Sequence, residues 1–315
     1  EPAVVEASRH FEAGNGSTLP TNGNPLEDPR VRVIIGDARG ELRRQREPYD
    51  VIINQPSNPW LTGVANLFTR DYFELLGSKL APEGVVCQWF QIYAMSEDST
   101  RTLVATFQSV FPHVIAFKGE RDLVMLGSHQ EIRFSTPRLE RLFRNPAIRS
   151  SLRNAFVTYP GDLLVKLTLD EASVEAFSAG APLNTDDNMR IELAAPHTLY
   201  VDHIAEIETA LAAYPPRTTT VASSYESSAN LHLELASSYF TAGIDEMAMT
   251  YCERSLELEA SFEGLKLLGQ IAQRQEDTLR ARNAYHLALA MGGDPGSRAF
   301  VEELIRSLDT VRVSN

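Results

Sequence analysis

The sequence predicts an α/β front domain followed by an all-helical repeat domain. Three observations predict it. Short β-branched runs alternate with amphipathic helical stretches over residues 1–128, which is the pattern of βαβ units and a parallel sheet. A Pro-, Thr- and Ser-rich stretch at 214–228 then reads as a linker. Beyond it, small and apolar positions return every 33 residues. A length of 315 residues suits about two domains.

Residues 2–11 read as a helix: Pro2 suits a first helical position, and Val4, Val5, Ala7 and Phe11 supply an apolar face. Residues 14–28, rich in Gly, Asn, Pro and Thr, read as loop. Residues 31–35 (Val-Arg-Val-Ile-Ile) are predicted as a first strand, broken by Gly36-Asp37, with a helix over 38–46. A second strand over 49–53 is stopped by Pro56 and Pro59, and residues 69–80 form a helix burying Tyr72, Phe73, Leu75, Leu76 and Leu80. The turn at 81–84 leads to a third strand over 85–90. Ser96 caps a helix over 96–110. Residues 113–118 and 122–126 make a hairpin, read as an antiparallel edge of the sheet.

Residues 129–213 read as a mixed appendage of the domain over 1–128, with helices near 137–144 and 169–177. The polar turn Asn184-Thr185-Asp186-Asp187 precedes a strand-like stretch over 189–193. It suits a structural turn better than a cation site. From 229 to 315, aligning Leu235-Ala236, Tyr239, Ala248 and Tyr251 with Leu268-Gly269, Ala272, Ala281 and Ala284 gives the 33-residue period, with Gly243 against Gln275 one position short of it. This resembles the tetratricopeptide repeat, whose small residues let paired helices pack closely, and a capping helix is predicted over 297–308. An ordinary helical bundle is the alternative.

The charge balance is acidic: 29 Lys+Arg against 42 Asp+Glu, net −13, which argues against a general nucleic-acid binder. Two cysteines, Cys87 and Cys252, in no paired spacing, exclude a disulfide scaffold and suit a reducing compartment. The seven histidines show no HxH or HExxH spacing, so no metal site is expected. No apolar run approaches the roughly 20 residues that span a bilayer. Because the chain opens on Glu1 rather than Met, it is expected to be part of a longer product.

In doubly wound sheets ligands bind at the carboxyl ends of the strands. Three such ends carry chemistry: Gly36-Asp37; Asn54-Gln55-Pro56-Ser57-Asn58-Pro59-Trp60; and Gln88-Trp89-Phe90-Gln91-Ile92-Tyr93. Asp37 suits either a purine amine or a helix N-cap, with the cap favoured on its own. The loop ending at Trp60 folds over a ligand as a lid or pins itself to the core through its indole.

The run from Glu1-Pro-Ala-Val-Val, through residues 28–39 (Asp-Pro-Arg-Val-Arg-Val-Ile-Ile-Gly-Asp-Ala-Arg), to Tyr49-Asp-Val-Ile-Ile53 resembles the spermidine/spermine synthase (polyamine aminopropyltransferase) family. Pro56-Ser57-Asn58-Pro59-Trp60 and residues 63–70 resemble the branch fused to an N-terminal membrane region and carrying C-terminal repeats. The resemblance covers roughly residues 1–200. It implies a class I methyltransferase-like Rossmann sheet, with its glycine-rich loop and first two strands lying before Glu1. It also implies decarboxylated S-adenosylmethionine as aminopropyl donor and a diamine such as putrescine as acceptor.

Position by position, the resemblance puts Asp37 on the adenine amine, Ala38 beside the base, and Glu1 at the second acidic position of a Glu-x-Asp motif. Gln55 falls where the family places its catalytic aspartate, and Asn58 where a second aspartate meets the acceptor amine. Trp60, Gln88 and Tyr93 complete the candidate substrate-binding set. The two amides matter, because an acceptor amine with a pKa near 10.4 must lose a proton, and an amide has neither charge nor useful basicity. The expected function is therefore nucleoside binding with aminopropyl transfer to a polyamine. A catalytically quiet nucleoside-binding domain on a repeat scaffold, or an S-adenosylmethionine-dependent methyltransferase, is the alternative. A protein partner of the repeats and a cytoplasmic location are further expectations.

Overall fold

The computed structural model of the chain describes residues 2–8, 26, 28–133, 136–155, 157–216 and 228–310. Helix α1 (Pro2–Ser8) is followed, past the undescribed stretch, by α2 (Ala38–Arg44) and strand β1 (Tyr49–Asn54). Helix α3 (Arg70–Ser78) is capped by Thr69, whose hydroxyl accepts from the Tyr72 amide, and it leads into β2 (Leu80–Gln91). Helix α4 (Glu97–Gln108) starts at Ser96, which accepts from the Ser99 amide as its sequence position predicts. The hairpin β3 (His113–Lys118) and β4 (Asp122–Ser128) follows. Helices α5 (Thr136–Arg144), α6 (Pro146–Asn154) and α7 (Pro160–Val165) come before β5 (Leu167–Leu169). Then come α8 (Glu171–Ser178), α9 (Arg190–Thr198) and α10 (Ile204–Ala212).

The chain folds as two units, one of residues 1–133 with 166–221 and one of 134–165 with 222–315. The front unit is built on a mixed five-stranded sheet in the order β1-β2-β4-β3-β5. Among the described strands only β1 and β2 run parallel, with Ile52 opposite Val86 and Asn54 opposite Gln88. The other three pairings are antiparallel. Val86 and Phe90 on one face of β2 pack into a core with Phe73 and Leu76 of α3 and Leu103 and Phe107 of α4. Phe73 and Phe107 meet edge to face at 5.1 Å, a favoured arrangement of ring quadrupoles.

Several expectations change. Residues 31–35 form no strand; Val31, Val33, Ile34 and Ile35 are all exposed, because a β-branched run becomes a strand only when a neighbouring strand takes its hydrogen bonds. The parallel sheet is a mixed one, and the β3–β4 hairpin lies inside it, since the short β5, unmarked in the sequence reading, pairs outside β3. The turn at 81–84 is a bulge within β2: the register passes from Tyr49 opposite Leu80 to Val51 opposite Val85. Residues 190–198 are helical rather than strand-like, starting after Met189 in a left-handed conformation with φ 41°.

The second unit is all-helical: α5–α7 with α11 (Ala229–Thr241), α12 (Asp245–Leu258), α13 (Phe262–Arg274), α14 (Thr278–Met291) and α15 (Pro295–Thr310). Residues 134–165, assigned to the appendage over 129–213, pack here instead. The reason is local: Asp162 at the start of α7 accepts from the Ser238 hydroxyl of α11 at 2.5 Å while its second oxygen takes the Thr158 and Tyr159 amides. Tyr239 and Tyr251 stack at 5.4 Å between α11 and α12, and His232 stacks on Tyr251, a packing role for that histidine. The turns after α11 and α13 place positive φ at Gly243 and at Glu276, 33 positions apart. At Gly269 a Cβ would stand 2.2 Å from the buried Tyr285 ring, so the close approach of α13 and α14 requires glycine there. Most of the 214–228 stretch and the last residues of the chain lie outside the described residues.

Candidate functional site

The parallel pair β1 and β2 brings its carboxyl ends to one edge of the sheet. There the Asn54 amide donates to the Gln88 carbonyl oxygen at 2.5 Å, and the Gln88 amide donates to the Trp89 carbonyl at 2.8 Å. The Tyr72 hydroxyl donates to Asn54 Oδ1 at 3.3 Å, and burial pushes that phenol up to about 12. Gln88, nominated from sequence as a substrate contact, thus uses both ends of its amide inside the protein. Gln91, three residues on, is fully buried, and among the described residues neither of its amide atoms has a partner. Such a group costs free energy until a ligand or water satisfies it.

Asp37 caps α2: its Oδ2 accepts from the Gly40 amide at 2.6 Å. The cap reading is the observed one, yet a carboxylate has a second oxygen, and Asp37 is itself exposed, beside the exposed Ala38. The next residue, Arg39, ties this helix to the sheet edge. Its guanidinium lies 5.8 Å from the centre of the Tyr72 ring and donates to the Asn66 carbonyl at 3.2 Å. It also grips Asp186 with two nitrogens, at 3.0 and 2.6 Å. Thr69 donates to the same carboxylate at 2.7 Å, and Asp71 accepts from the Asp186 amide at 2.9 Å. Hydrogen bonding to Arg39 holds the Asp186 carboxyl below the usual carboxylate range. The polar turn at 184–187 is therefore a structural clamp, with Asn184 buried and donating to the Phe68 carbonyl. Among the described residues no group of three His, Cys, Asp or Glu side chains is arranged to hold a metal ion.

Gln55 follows β1 and is exposed; Asn58 is half-buried, with its backbone carbonyl accepting from the Leu61 amide. Trp60 is pinned rather than free: its ring meets Tyr93 edge-on at 6.1 Å, and Arg121 sits 5.1 Å over the other aromatic. The structure thus joins Trp60 with Tyr93, and Asn54 with Gln88, and links the Asp37 helix to the latter pair through Arg39 and Tyr72. Glu1 lies outside the described residues. The sequence reading gave no role to Arg39, Asn54 or Arg121; a lone arginine following a helix cap carries no local signal of a partner 147 positions away.

Residues 3–118 match the family model of the spermine/spermidine synthase domain. The spermidine synthase of Dictyostelium discoideum is 32% identical over 114 residues, 36% of this chain and 37% of that protein. Polyamine aminopropyltransferase 2 of Pseudomonas aeruginosa is 35% identical over 95 residues, 30% of this chain and 27% of the relative. Putrescine N-methyltransferase 2 of Nicotiana tabacum is 30% identical over 112 residues, 35% of this chain and 30% of the relative. The chain spans little more than a third of these relatives, or less. Among solved structures, a probable spermidine synthase from Corynebacterium glutamicum aligns with a TM-score of 0.37 and 20% identity, covering 59% of this chain and 61% of that one. The front of the chain is thus similar to the spermidine synthase family. Among the described residues no helix is long and apolar enough to cross a membrane.

Proposed function

We propose that the front unit binds a decarboxylated S-adenosylmethionine-type nucleoside at the carboxyl ends of β1 and β2 and passes its aminopropyl group to a polyamine such as putrescine. The match of residues 3–118 to the spermine/spermidine synthase domain carries this reading. Asp37 takes the adenine amine on the oxygen left over from capping α2, with Ala38 against the base and Glu1 as a further acidic contact. Trp60 and Tyr93 wall the acceptor side, next to Asn58. In the transfer, the amine nitrogen attacks the methylene carbon beside the sulfonium; the C–N bond forms as the C–S bond breaks, and a neutral thioether leaves. The ammonium proton goes to water, because Gln55 offers no basic oxygen.

The test is incubation of the protein with decarboxylated S-adenosylmethionine and putrescine, with chromatographic detection of spermidine. Spermidine above the protein-free control supports transfer. A second reading is favoured by the amides at 55 and 58: a catalytically quiet nucleoside-binding domain on a tetratricopeptide-like scaffold whose helices 229–310 bind a protein partner. Calorimetric binding of methylthioadenosine with no spermidine formed selects it. Methyl transfer from S-adenosylmethionine, suggested by the similarity to a putrescine N-methyltransferase, is excluded when the same assay with that donor gives no methylated amine. In each case the protein is read as working in the cytoplasm, as the soluble part of a membrane-anchored product.

A further inference from the structure

Within the front unit a cavity of about 810 Å³ opens between the first turns of α4, the strap 179–182 and α9. None of the described residues nominated for nucleoside or polyamine binding lines it. Its volume falls in the range of small-molecule sites, about 300–1,000 Å³. Ile191, 4% exposed, and Ala194 give it an apolar side, while Ser99 and Thr102, both buried, add hydroxyls.

The charges around it are lopsided for a chain of net charge −13. Among the described residues, Arg101, Arg190, His197 and His203 line the cavity against a single carboxylate, Asp98. Arg101 is fixed by donating to the carbonyls of Phe177 and Ala179, at 2.9 and 3.1 Å, and also forms an ion pair with Glu97 at 3.7 Å. The guanidinium is held in place with its hydrogen bonds on neutral carbonyls. Arg190, on the first turn of α9, has no side-chain partner among the described residues, nor has His197. His203 is paired with Glu206 at 2.8 Å. A positioned guanidinium and an unpartnered one lining the same cavity offer the planar donor forks that carboxylate and phosphate groups fit.

We infer that this cavity binds a small organic anion, a carboxylate or phosphate ester, with Arg101 and Arg190 on the charged group and Ile191 and Ala194 against its apolar part. The test is calorimetry with two probes that contain no nucleoside, citrate and inorganic pyrophosphate, so that its outcome is separate from that of nucleoside binding. One probe is expected to bind saturably below about 1 mM, citrate indicating a carboxylate ligand and pyrophosphate a phosphate one. Arg190→Gln is expected to weaken that binding about tenfold, the loss of one charge-assisted pair. Leu193→Asp, at a lining position 70% exposed and so harmless to folding, is expected to weaken it as well. Arg153→Gln, which removes the same charge from outside the cavity, is expected to leave it unchanged. Saturation by neither probe, or equal loss in the Arg153 and Arg190 variants, overturns the inference.

Discussion

Arg39 and Asp186, 147 positions apart, form a two-pronged ion pair in which the arginine side chain is 10% exposed and the aspartate 38%. The buried member sets the consequence: without Asp186 its charge keeps a carbonyl, an aromatic face and the field of the nearby Asp71 carboxylate. Asp186→Asn is expected to cost about 2 kcal/mol, below the range for a fully buried pair because water reaches the carboxylate. Urea unfolding reads this as a lower midpoint at unchanged slope. The carboxyl is held low in the folded state, so its contribution is complete above its unfolded pKa of about 3.9 and fades as pH falls through the lower folded value. The gap between parent and variant should therefore close in acid, and a gap that persists at pH 2 contradicts the pair as its origin.

Gln91 makes the opposite kind of variant. Its amide is fully buried with neither atom partnered among the described residues, so replacing it with a residue of similar shape removes two uncompensated desolvation costs. Gln91→Met is expected to stabilise the front unit by about 1 kcal/mol. Thermal melts of the two proteins check it, and a lower melting temperature for the variant refutes it.

The sequence carried the helices well, because their signals are local: Ser96 caps as its hydroxyl predicts, Thr69, read as a first helical residue, caps as well, and the apolar faces of α3 and α4 point inward. It carried strands poorly wherever pairing decides. Residues 31–35 have a stronger β composition than β5, yet Leu167–Leu169 is the strand, because β3 offers it a free edge. For the candidate site, the position of Asp37 at a helix start was legible. Its bond to Gly40 was foreseen as one of two roles. The amide chain from Tyr72 through Asn54 to Gln88 was not legible, since register between β1 and β2 brings those side chains together.

Glu276 carries φ 64°, a left-handed conformation that glycine adopts without cost and a side chain does not. The equivalent turn one period earlier uses Gly243. Glu276→Gly is expected to stabilise the helical unit by about 1 kcal/mol, the lower end of such strain, since glycine also loosens the unfolded chain. Denaturant titration followed by circular dichroism measures it; no change, or a loss, shows that the strain is absorbed elsewhere.

Gln55 is exposed just past β1, where a carboxylate would serve both as anchor for a cationic acceptor and as receiver of its proton. At neutral pH an amine of pKa about 10.4 is almost wholly protonated, so a transfer that relies on water alone is slow. Gln55→Asp supplies the missing base, and a positioned general base is worth about 100-fold or more in rate. The expected outcome is spermidine formation raised by that order, with a rate that falls in acid as the new carboxylate protonates, below about pH 4. The exposed position makes the change harmless to folding, so a melting temperature equal to the parent's accompanies it. A variant that binds methylthioadenosine as the parent does, yet forms no more spermidine, means that the acceptor never reaches residue 55, and the quiet nucleoside-binding reading then stands in place of transfer.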